Sequence, residues 1–113
     1  MAEIKEKTLY IKSNKMGEGS EELGYLLLRG FFRQLVEARL FPARIILINS
    51  GVKVIFDQNL TEELKSLAGA GVEILACGTC LNYYQLGEDL PVGRVSSMVE
   101  IAELLLSSEV IAP

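Results

Sequence analysis

The segment RIILIN, Arg44 to Asn49, decides the fold. It follows Pro42 and contains a continuous Ile/Leu run instead of an alternation of apolar and polar residues. Such a run is typical of a parallel strand covered on both faces, whereas a half-exposed antiparallel strand alternates. We therefore predict that this segment is a central strand of a parallel sheet.

Further strands and helices alternate on both sides of this segment. The predicted strands are TLYIKS (8–13) and VEILAC (72–77), with short strands in VGRVS (92–96) and EVIA (109–112). Predicted helices run from a Ser20 cap to about Arg39, from a Thr61 cap to about Gly69, over Leu81 to Leu86, and from a Ser97 cap onward. Residues 50–60 are predicted to be a connection with some extended character. This alternation predicts a three-layer α/β/α fold with a mainly parallel sheet of about five strands.

Composition limits the class of protein. The chain has 113 residues, of which half are apolar, and this fits a single domain with its own core. The net charge is −4 and the basic residues are scattered, so we predict no nucleic-acid partner. No apolar run approaches the ~20 residues of a membrane span, and the N-terminal MAEIKEK is too charged for a signal peptide. We expect a soluble cytoplasmic protein with no membrane partner.

Cys77 and Cys80 are the two cysteines of the chain, and histidine is absent. Because cytoplasmic thiols are kept reduced, this pair is better explained as reactive or ligating than as a structural disulfide. A tetrahedral zinc site needs four ligands, and an iron–sulfur cluster needs more thiolates than the chain has, so we predict no metal. Without histidine, Ser/His and Cys/His catalytic pairs are also excluded.

The position of each cysteine favours reactivity over simple packing. Cys77 ends a predicted strand at the start of a helix, where N–H groups and the helix dipole stabilise a thiolate. Gly78 lets the backbone turn, and Cys80 enters the helix. The tryptophan and proline of a thioredoxin site are missing, but Cys80 can still attack a sulfur adduct on Cys77. Three alternatives remain open: a sulfur-handling nucleophile, a thiol-disulfide switch, and a non-enzymatic binding module.

The loops after the first three predicted strands should meet, because the carboxyl ends of parallel strands share one edge of the sheet. The glycines Gly17 and Gly19 offer N–H groups to an anion, but the lysine of a Walker A loop and the third glycine of a dinucleotide fingerprint are absent. We therefore predict no cofactor. Asn49 and Ser50 either border a pocket at this edge or form a simple turn.

The first predicted helix is more apolar than contact with a sheet requires. Its apolar residues form one stripe and a second set that widens it: Leu23, Leu26, Leu27, Gly30 and Phe31, then Leu28, Phe32, Leu35 and Val36. Such a surface indicates either burial under neighbouring elements or a subunit interface, and we expect a homo-oligomer. Tyr83 and Tyr84 are interpreted as packing residues with a polar tip.

Several segments, in order, resemble the DsrE-like domain found at the C-terminal end of YedF-type selenium-metabolism proteins. They are SNKMGEGSEELG, NSGVKV, TEELKSLAGAGVEIL, CGTCLNYYQLGEDLPVG and SSMVEI, and they extend from about Ser13 to about Glu103. The most specific of them is CGTCL after GVEIL. The resemblance implies a DsrE/DsrF-like fold whose members, usually oligomers, bind and pass sulfur as a cysteine persulfide. It also implies that Cys77 is the active cysteine, whereas Cys80 matches only the YedF-like branch.

We therefore expect sulfur or selenium trafficking in which the Cys77 thiolate accepts a sulfane sulfur and Cys80 assists, either as a sulfurtransferase or as a carrier. The residues expected to bind the cargo or shape its pocket are Gly78, Thr79, Asn14, Gly17, Gly19, Asn49, Ser50 and Ser97, the last at a position where the family often has Asn. The expected partners are donor or acceptor proteins of a sulfur relay. YedF-type proteins usually carry a preceding TusA-like domain, so the chain is expected to be either a stand-alone relative or a part of such a fusion.

Overall fold

The computed structural model describes residues 7–113, and the prediction drawn from the charged N-terminus falls mostly on residues outside this range. Five strands form one sheet in the order β4-β3-β2-β1-β5, and every neighbouring pair is parallel. The strands are β1 (Lys7–Ile11), β2 (Arg44–Leu47), β3 (Glu73–Cys77), β4 (Arg94–Ser96) and β5 (Glu109–Ile111). The helices are α1 (Glu21–Glu37), α2 (Gln58–Gly69), α3 (Gly78–Tyr83) and α4 (Met98–Ser107), with a 3-10 helix at Asn49–Phe56.

The central position predicted for RIILIN is confirmed, since β2 lies between β1 and β3. Its consecutive residues Ile45, Ile46 and Leu47 are all fully buried, so both faces of the strand are covered. Strands β1 to β4 follow one another across the sheet, and β5 returns to the far side of β1. Because parallel crossovers are right-handed, α1 and α2 lie on one face, where they contact each other, and α4 lies on the other. The three-layer α/β/α fold is therefore confirmed.

The α1 helix begins where its cap was predicted, because the Ser20 side chain accepts a hydrogen bond from the Leu23 N–H at 3.1 Å. Its buried residues are Gly24, Leu28, Phe32 and Leu35. The sheet is thus covered by the residues that we expected only to widen the apolar stripe. Of the stripe itself, Leu23, Leu26 and Leu27 are about half exposed, whereas Phe31 is half-buried against the core.

Two local predictions between β2 and β3 are wrong. Residues 49–56 form a 3-10 helix instead of an extended connection, because Val52, Val54 and Ile55 are all fully buried there and pack into the core. The α2 helix is capped by Asp57, whose carboxylate accepts a hydrogen bond from the Asn59 N–H at 2.8 Å. Thr61 lies inside the helix, where its hydroxyl donates to the carbonyl of Ile55.

The last third of the chain follows the prediction more closely. The edge strands β4 and β5 and the Ser97 cap of α4 are confirmed, with the Ser97 hydroxyl accepting from the Glu100 N–H at 3.4 Å. The Glu100 side chain does not reach back to the cap, since it binds Arg94 and the Ser96 hydroxyl instead. The α3 helix begins at Gly78, three residues earlier than predicted, so both cysteines belong to its first turn and cap. Over residues 7–113, none of the helices combines the length and apolar character that a membrane span requires.

Candidate functional site

Cys77 and Cys80 occupy the turn between β3 and α3 at the carboxyl edge of the sheet. Cys77 is the N-cap residue of α3, and its Sγ accepts a hydrogen bond from the Cys80 N–H at 3.4 Å. Both side chains are free thiols. Cys77 is only 2% exposed, whereas Cys80 is half-buried. The pair therefore consists of one thiol inside the core and one at its border.

The Cys80 thiol is held by the loop that follows β2. The Asn49 backbone N–H donates to Cys80 Sγ at 3.0 Å. The Asn49 side-chain oxygen in turn accepts a hydrogen bond from the Tyr84 hydroxyl at 2.8 Å. Asn49 has a φ of 51°, a left-handed conformation that asparagine tolerates better than most residues. The first turn of α3 and the start of the 3-10 helix thus lie on two sides of the Cys80 sulfur.

A cavity of about 390 Å³ opens beside this group, lined by Asn49, Thr79, Cys80, Tyr83 and Tyr84. Tyr83 and Tyr84 meet edge to face with their ring centroids 5.2 Å apart. The Lys53 ammonium lies 4.4 Å from the centroid of the Tyr84 ring, in a cation–π contact. The cavity therefore offers one thiol, an aromatic wall and a nearby positive charge.

The environment of Cys80 favours its protonated form. Burial raises the pKa of the Cys80 thiol above its ordinary value, and a hydrogen bond with the Cys77 side chain raises it further. The Asn49 N–H lowers the pKa, because it stabilises the thiolate, but the net change is upward. The Asn49 N–H is therefore the group that favours the thiolate form of Cys80, against burial and Cys77.

The three loops predicted to meet at this edge are linked by hydrogen bonds. The Asn14 N–H donates to the Ser50 hydroxyl at 3.3 Å, which joins the loop after β1 to the loop after β2. The Asn49 N–H then joins that loop to Cys80. Gly78 lies under the site, where a Cβ would stand 3.1 Å from Val95 and 3.3 Å from the Ser96 carbonyl oxygen. Glycine at this position lets the β3–α3 turn approach β4.

Other residues predicted from the sequence lie elsewhere. Gly17 lines a separate and slightly larger cavity of about 440 Å³, together with Ser13 and Lys15 and without either cysteine. Gly19 lies in the same exposed loop with no atom within 4 Å of where its Cβ would be. Ser97 is exposed and caps α4. None of these three residues lines the cavity that Cys80 borders. The loop after β1 bonds to α1 instead, through the Met16 N–H and the Gly24 carbonyl, and Ser97 belongs to the start of α4.

Sequence reasoning missed the position of Tyr84 and Lys53 beside Cys80 and its cavity. Tyr84 follows Cys80 by four residues, and side chains at that spacing share one face of a helix. This spacing is the signal that would have placed Tyr84 beside the thiol. Lys53 carried no such signal, because it reaches the ring only through the folding of residues 49–56 into a 3-10 helix. Within residues 7–113, no group of three Cys, Asp or Glu side chains is close enough to hold a metal ion.

A known protein family matches most of the chain. The model of the DsrE/DsrF-like family matches residues 34–113, a range that includes β2, β3, the cavity and both cysteines. The chain belongs to the DsrE/DsrF-like family. DsrE-like proteins are generally linked to sulfur relay. A search of curated proteins finds no match to the chain.

Two solved DsrE-like structures share the fold. The ychN protein from E. coli aligns with a TM-score of 0.61 at 23% identity, covering 95% of this chain and 99% of that one. MTH1491 from Methanobacterium thermoautotrophicum, a protein of unknown function, aligns with a TM-score of 0.65 at 24% identity, covering 95% and 97%. At this level of identity, the likeness concerns the DsrE-like fold.

Proposed function

We propose that this protein carries a sulfane sulfur, or the equivalent selenium, as a covalent adduct of the Cys77 and Cys80 pair. The observation that carries the proposal is the hydrogen bond from the Cys80 N–H to Cys77 Sγ, which keeps the two cysteines together, with Cys80 bordering a cavity at the carboxyl edge of the sheet. Family membership supports it, since DsrE-like proteins are generally linked to sulfur relay. The reaction is the transfer of the outer sulfur of a persulfide, RSSH, to a cysteine thiolate, which forms Cys–SSH and releases RS⁻.

The partners that we infer are proteins that donate or accept this sulfur. The resemblance of CGTCL and its neighbours to YedF-type proteins makes a TusA-like domain the first candidate partner and selenium the alternative cargo. Both thiols are free, which suits a reducing compartment, and we therefore place the protein in the cytoplasm. Such a protein acts as a sulfurtransferase if it turns over and as a carrier if it is loaded once.

We also propose that the protein is a homo-oligomer joined through α1. The side chains of Leu23, Leu26 and Leu27 are 53%, 50% and 49% exposed, and their spacing places them on one side of the helix. A second copy of this chain is the occupant that we infer, because an identical leucine surface complements it in a two-fold interface. An isolated monomer would leave these side chains in water.

Mass spectrometry of the intact protein tests the sulfur proposal. After incubation of the reduced protein with cysteine persulfide, we expect a mass increase of about 32 Da, the mass of one sulfur atom. The double variant Cys77→Ser/Cys80→Ser is the control and should show no increase, and treatment with dithiothreitol should restore the original mass. An unmodified wild-type protein would contradict the proposal.

A thiol-disulfide switch is the second candidate, because the hydrogen bond between Cys80 N–H and Cys77 Sγ holds the two thiols near each other. Exchange with a small disulfide RSSR, which leaves as two RSH, would form the Cys77–Cys80 disulfide and lower the mass by about 2 Da, and a thiol reductant would reverse the change. A stable disulfide in a protein that gains no sulfur from the persulfide would favour this second function over the first.

A further inference from the structure

The cavity distinguishes the two cysteines. Cys80 lines it together with Thr79, whereas Cys77 lies beneath the turn with 2% of its surface exposed. A reagent that enters from solvent therefore meets Cys80 first. Cys77 becomes reachable only after a movement of the turn, or by transfer from Cys80. The order of the two thiols thus follows from burial, whereas strand-end position alone had suggested Cys77.

Three groups form a short hydrogen-bonded path around Cys80. The Tyr84 hydroxyl donates to the Asn49 side-chain oxygen at 2.8 Å, and the Asn49 N–H donates to Cys80 Sγ at 3.0 Å. Asn49 has its left-handed φ of 51° in this arrangement. Cys80 lies in α3 and Tyr84 is the C-cap residue of the same helix, about one turn later. Tyr84 therefore holds the side chain of the residue whose backbone N–H donates to Cys80.

We propose that Cys80 is the receiving thiol and that Tyr84 is a positioning residue, which acts through Asn49 to hold a donor on the developing Cys80 thiolate. This inference rests on the proposed sulfur transfer and assigns its first step. The Cys80 thiolate attacks the outer sulfur of a small persulfide RSSH, the S–S bond of the donor breaks, and RS⁻ leaves and takes up a proton. The Cys77 thiolate can then take the outer sulfur of Cys80–SSH, which regenerates the Cys80 thiolate.

The charged and titratable groups around Cys80 determine how its reactivity changes with pH. Cys77 faces it from the end of β3 and raises the pKa of the Cys80 thiol, together with burial. Lys53 approaches from the 3-10 helix, and Tyr83 and Tyr84 approach from α3. Loss of the Tyr84 hydroxyl releases the Asn49 side chain and so weakens the hydrogen bond from the Asn49 N–H to Cys80 Sγ. Because that bond lowers the pKa of Cys80, the pKa then rises. The thiolate then forms only at a higher pH.

The first experiment separates the two cysteines. Loading by cysteine persulfide is followed over time by intact mass in Cys77→Ser and in Cys80→Ser. We expect Cys80→Ser to load at least about tenfold more slowly than Cys77→Ser, since burial limits access to Cys77. Equal or faster loading of Cys80→Ser would overturn the assignment while leaving the proposed function intact. No loading in any form of the protein would instead contradict the proposed function itself.

The second experiment tests Tyr84 without sulfur transfer. Alkylation of Cys80 by iodoacetamide is measured from pH 6 to 10, a range about the ordinary thiol pKa, in a Cys77→Ser background. We expect Tyr84→Phe to lower the rate at pH 7.5 by about three- to tenfold, as the loss of one positioning hydrogen bond predicts, and to move the profile to higher pH. Tyr25→Phe is the matched control, since it also loses a hydroxyl hydrogen bond, to Asp57 at 2.9 Å, away from the cavity.

A second variant removes the same hydrogen bond from its other partner, so that a folding defect of Tyr84→Phe cannot be mistaken for a loss of positioning. Asn49→Gly keeps the backbone N–H and suits the left-handed φ, but it removes the side-chain oxygen that Tyr84 holds. We expect its pH profile to match that of Tyr84→Phe. Profiles of Tyr84→Phe and Asn49→Gly that coincide with that of Tyr25→Phe would overturn the positioning role.

Discussion

At the residue scale, Gly51 sets the distance between the site loop and the sheet. A Cβ at this position would lie 2.3 Å from the Ile11 carbonyl oxygen and 3.1 Å from its carbon, both of which are backbone atoms. The same oxygen already accepts a hydrogen bond from the Ile48 N–H at 3.0 Å, so it has little freedom to move. A side chain at residue 51 would therefore push the 3-10 helix, and Asn49 with it, away from β1.

We predict that Gly51→Ala lowers the free energy of unfolding by about 1–3 kcal/mol, the usual cost of forcing a methyl group into a packed interior. Urea denaturation measures this change. Gly69→Ala is the matched control, because Gly69 lies in a helix with no atom within 4 Å of where a Cβ would stand, and this variant should lose no stability. Equal stability of Gly51→Ala and wild type would show that the 3-10 helix moves without cost.

At the element scale, an ion-pair network ties β4 to β3 and α4 beside the site. The Arg94 guanidinium binds Glu100 on α4 at 3.0 Å and Glu73 on β3 at 2.9 Å. The Ser96 hydroxyl, next to Cys77 in the sheet register, also donates to Glu100 at 2.6 Å. The Arg94 hydrogen bond, assisted by that of Ser96, lowers the pKa of Glu100 from 4.5 to about 2.

Because the pKa of Glu100 is lowered, the free energy of unfolding should decrease at acidic pH. The folded protein binds fewer protons at Glu100 than the unfolded chain, so its contribution is complete above pH 4.5 and is lost as the pH falls towards about 2. Glu100→Gln should abolish this part of the pH dependence, and its loss of stability relative to wild type should be larger at pH 7 than at pH 3. Denaturation at pH 7 and pH 3 compares the two proteins.

The control for this experiment lies on the same helix. Glu103 is exposed on α4 and forms no ion pair with any of residues 7–113, so Glu103→Gln should follow wild type at both pH values. If the difference between Glu100→Gln and wild type is the same at pH 7 and pH 3, the network does not stabilise the folded state through the charge of Glu100.

The N-caps of the helices show which helix starts can be predicted from the sequence. Ser20 and Ser97 were recognised because each is followed by glutamate in the first helical turn, and the side chain of each accepts a hydrogen bond only from its own helix. The start of α2 was placed wrongly because both Asp57 and Thr61 suit a cap. Asp57 prevails through a tertiary contact, since its carboxylate also accepts the Tyr25 hydroxyl from α1. Thr61 instead points to the core, where its hydroxyl has a backbone partner.

At the scale of the whole molecule, the leucine surface of α1 predicts self-association. The double variant Leu26→Glu/Leu27→Glu places two carboxylates on this surface, where burial in an interface would require their desolvation. We expect light scattering after gel filtration to give a multiple of the chain mass for wild type and the chain mass itself for the variant. Ser66→Glu, which adds a carboxylate on the exposed side of α2, should remain oligomeric. A monomeric wild type would contradict the prediction.

The sequence by itself determined the sheet and the approximate position of the cysteine pair. The continuous apolar run of β2 and the alternation of strands and helices are local patterns, and they sufficed for a parallel sheet with CGTC at its carboxyl edge. Only the tertiary structure decided which face of α1 covers the sheet, and which thiol borders a cavity. Both depend on the packing of residues distant in sequence: Phe32 in the core, and Asn49 against Cys80 across 31 positions. Local periodicity carries no information about such contacts.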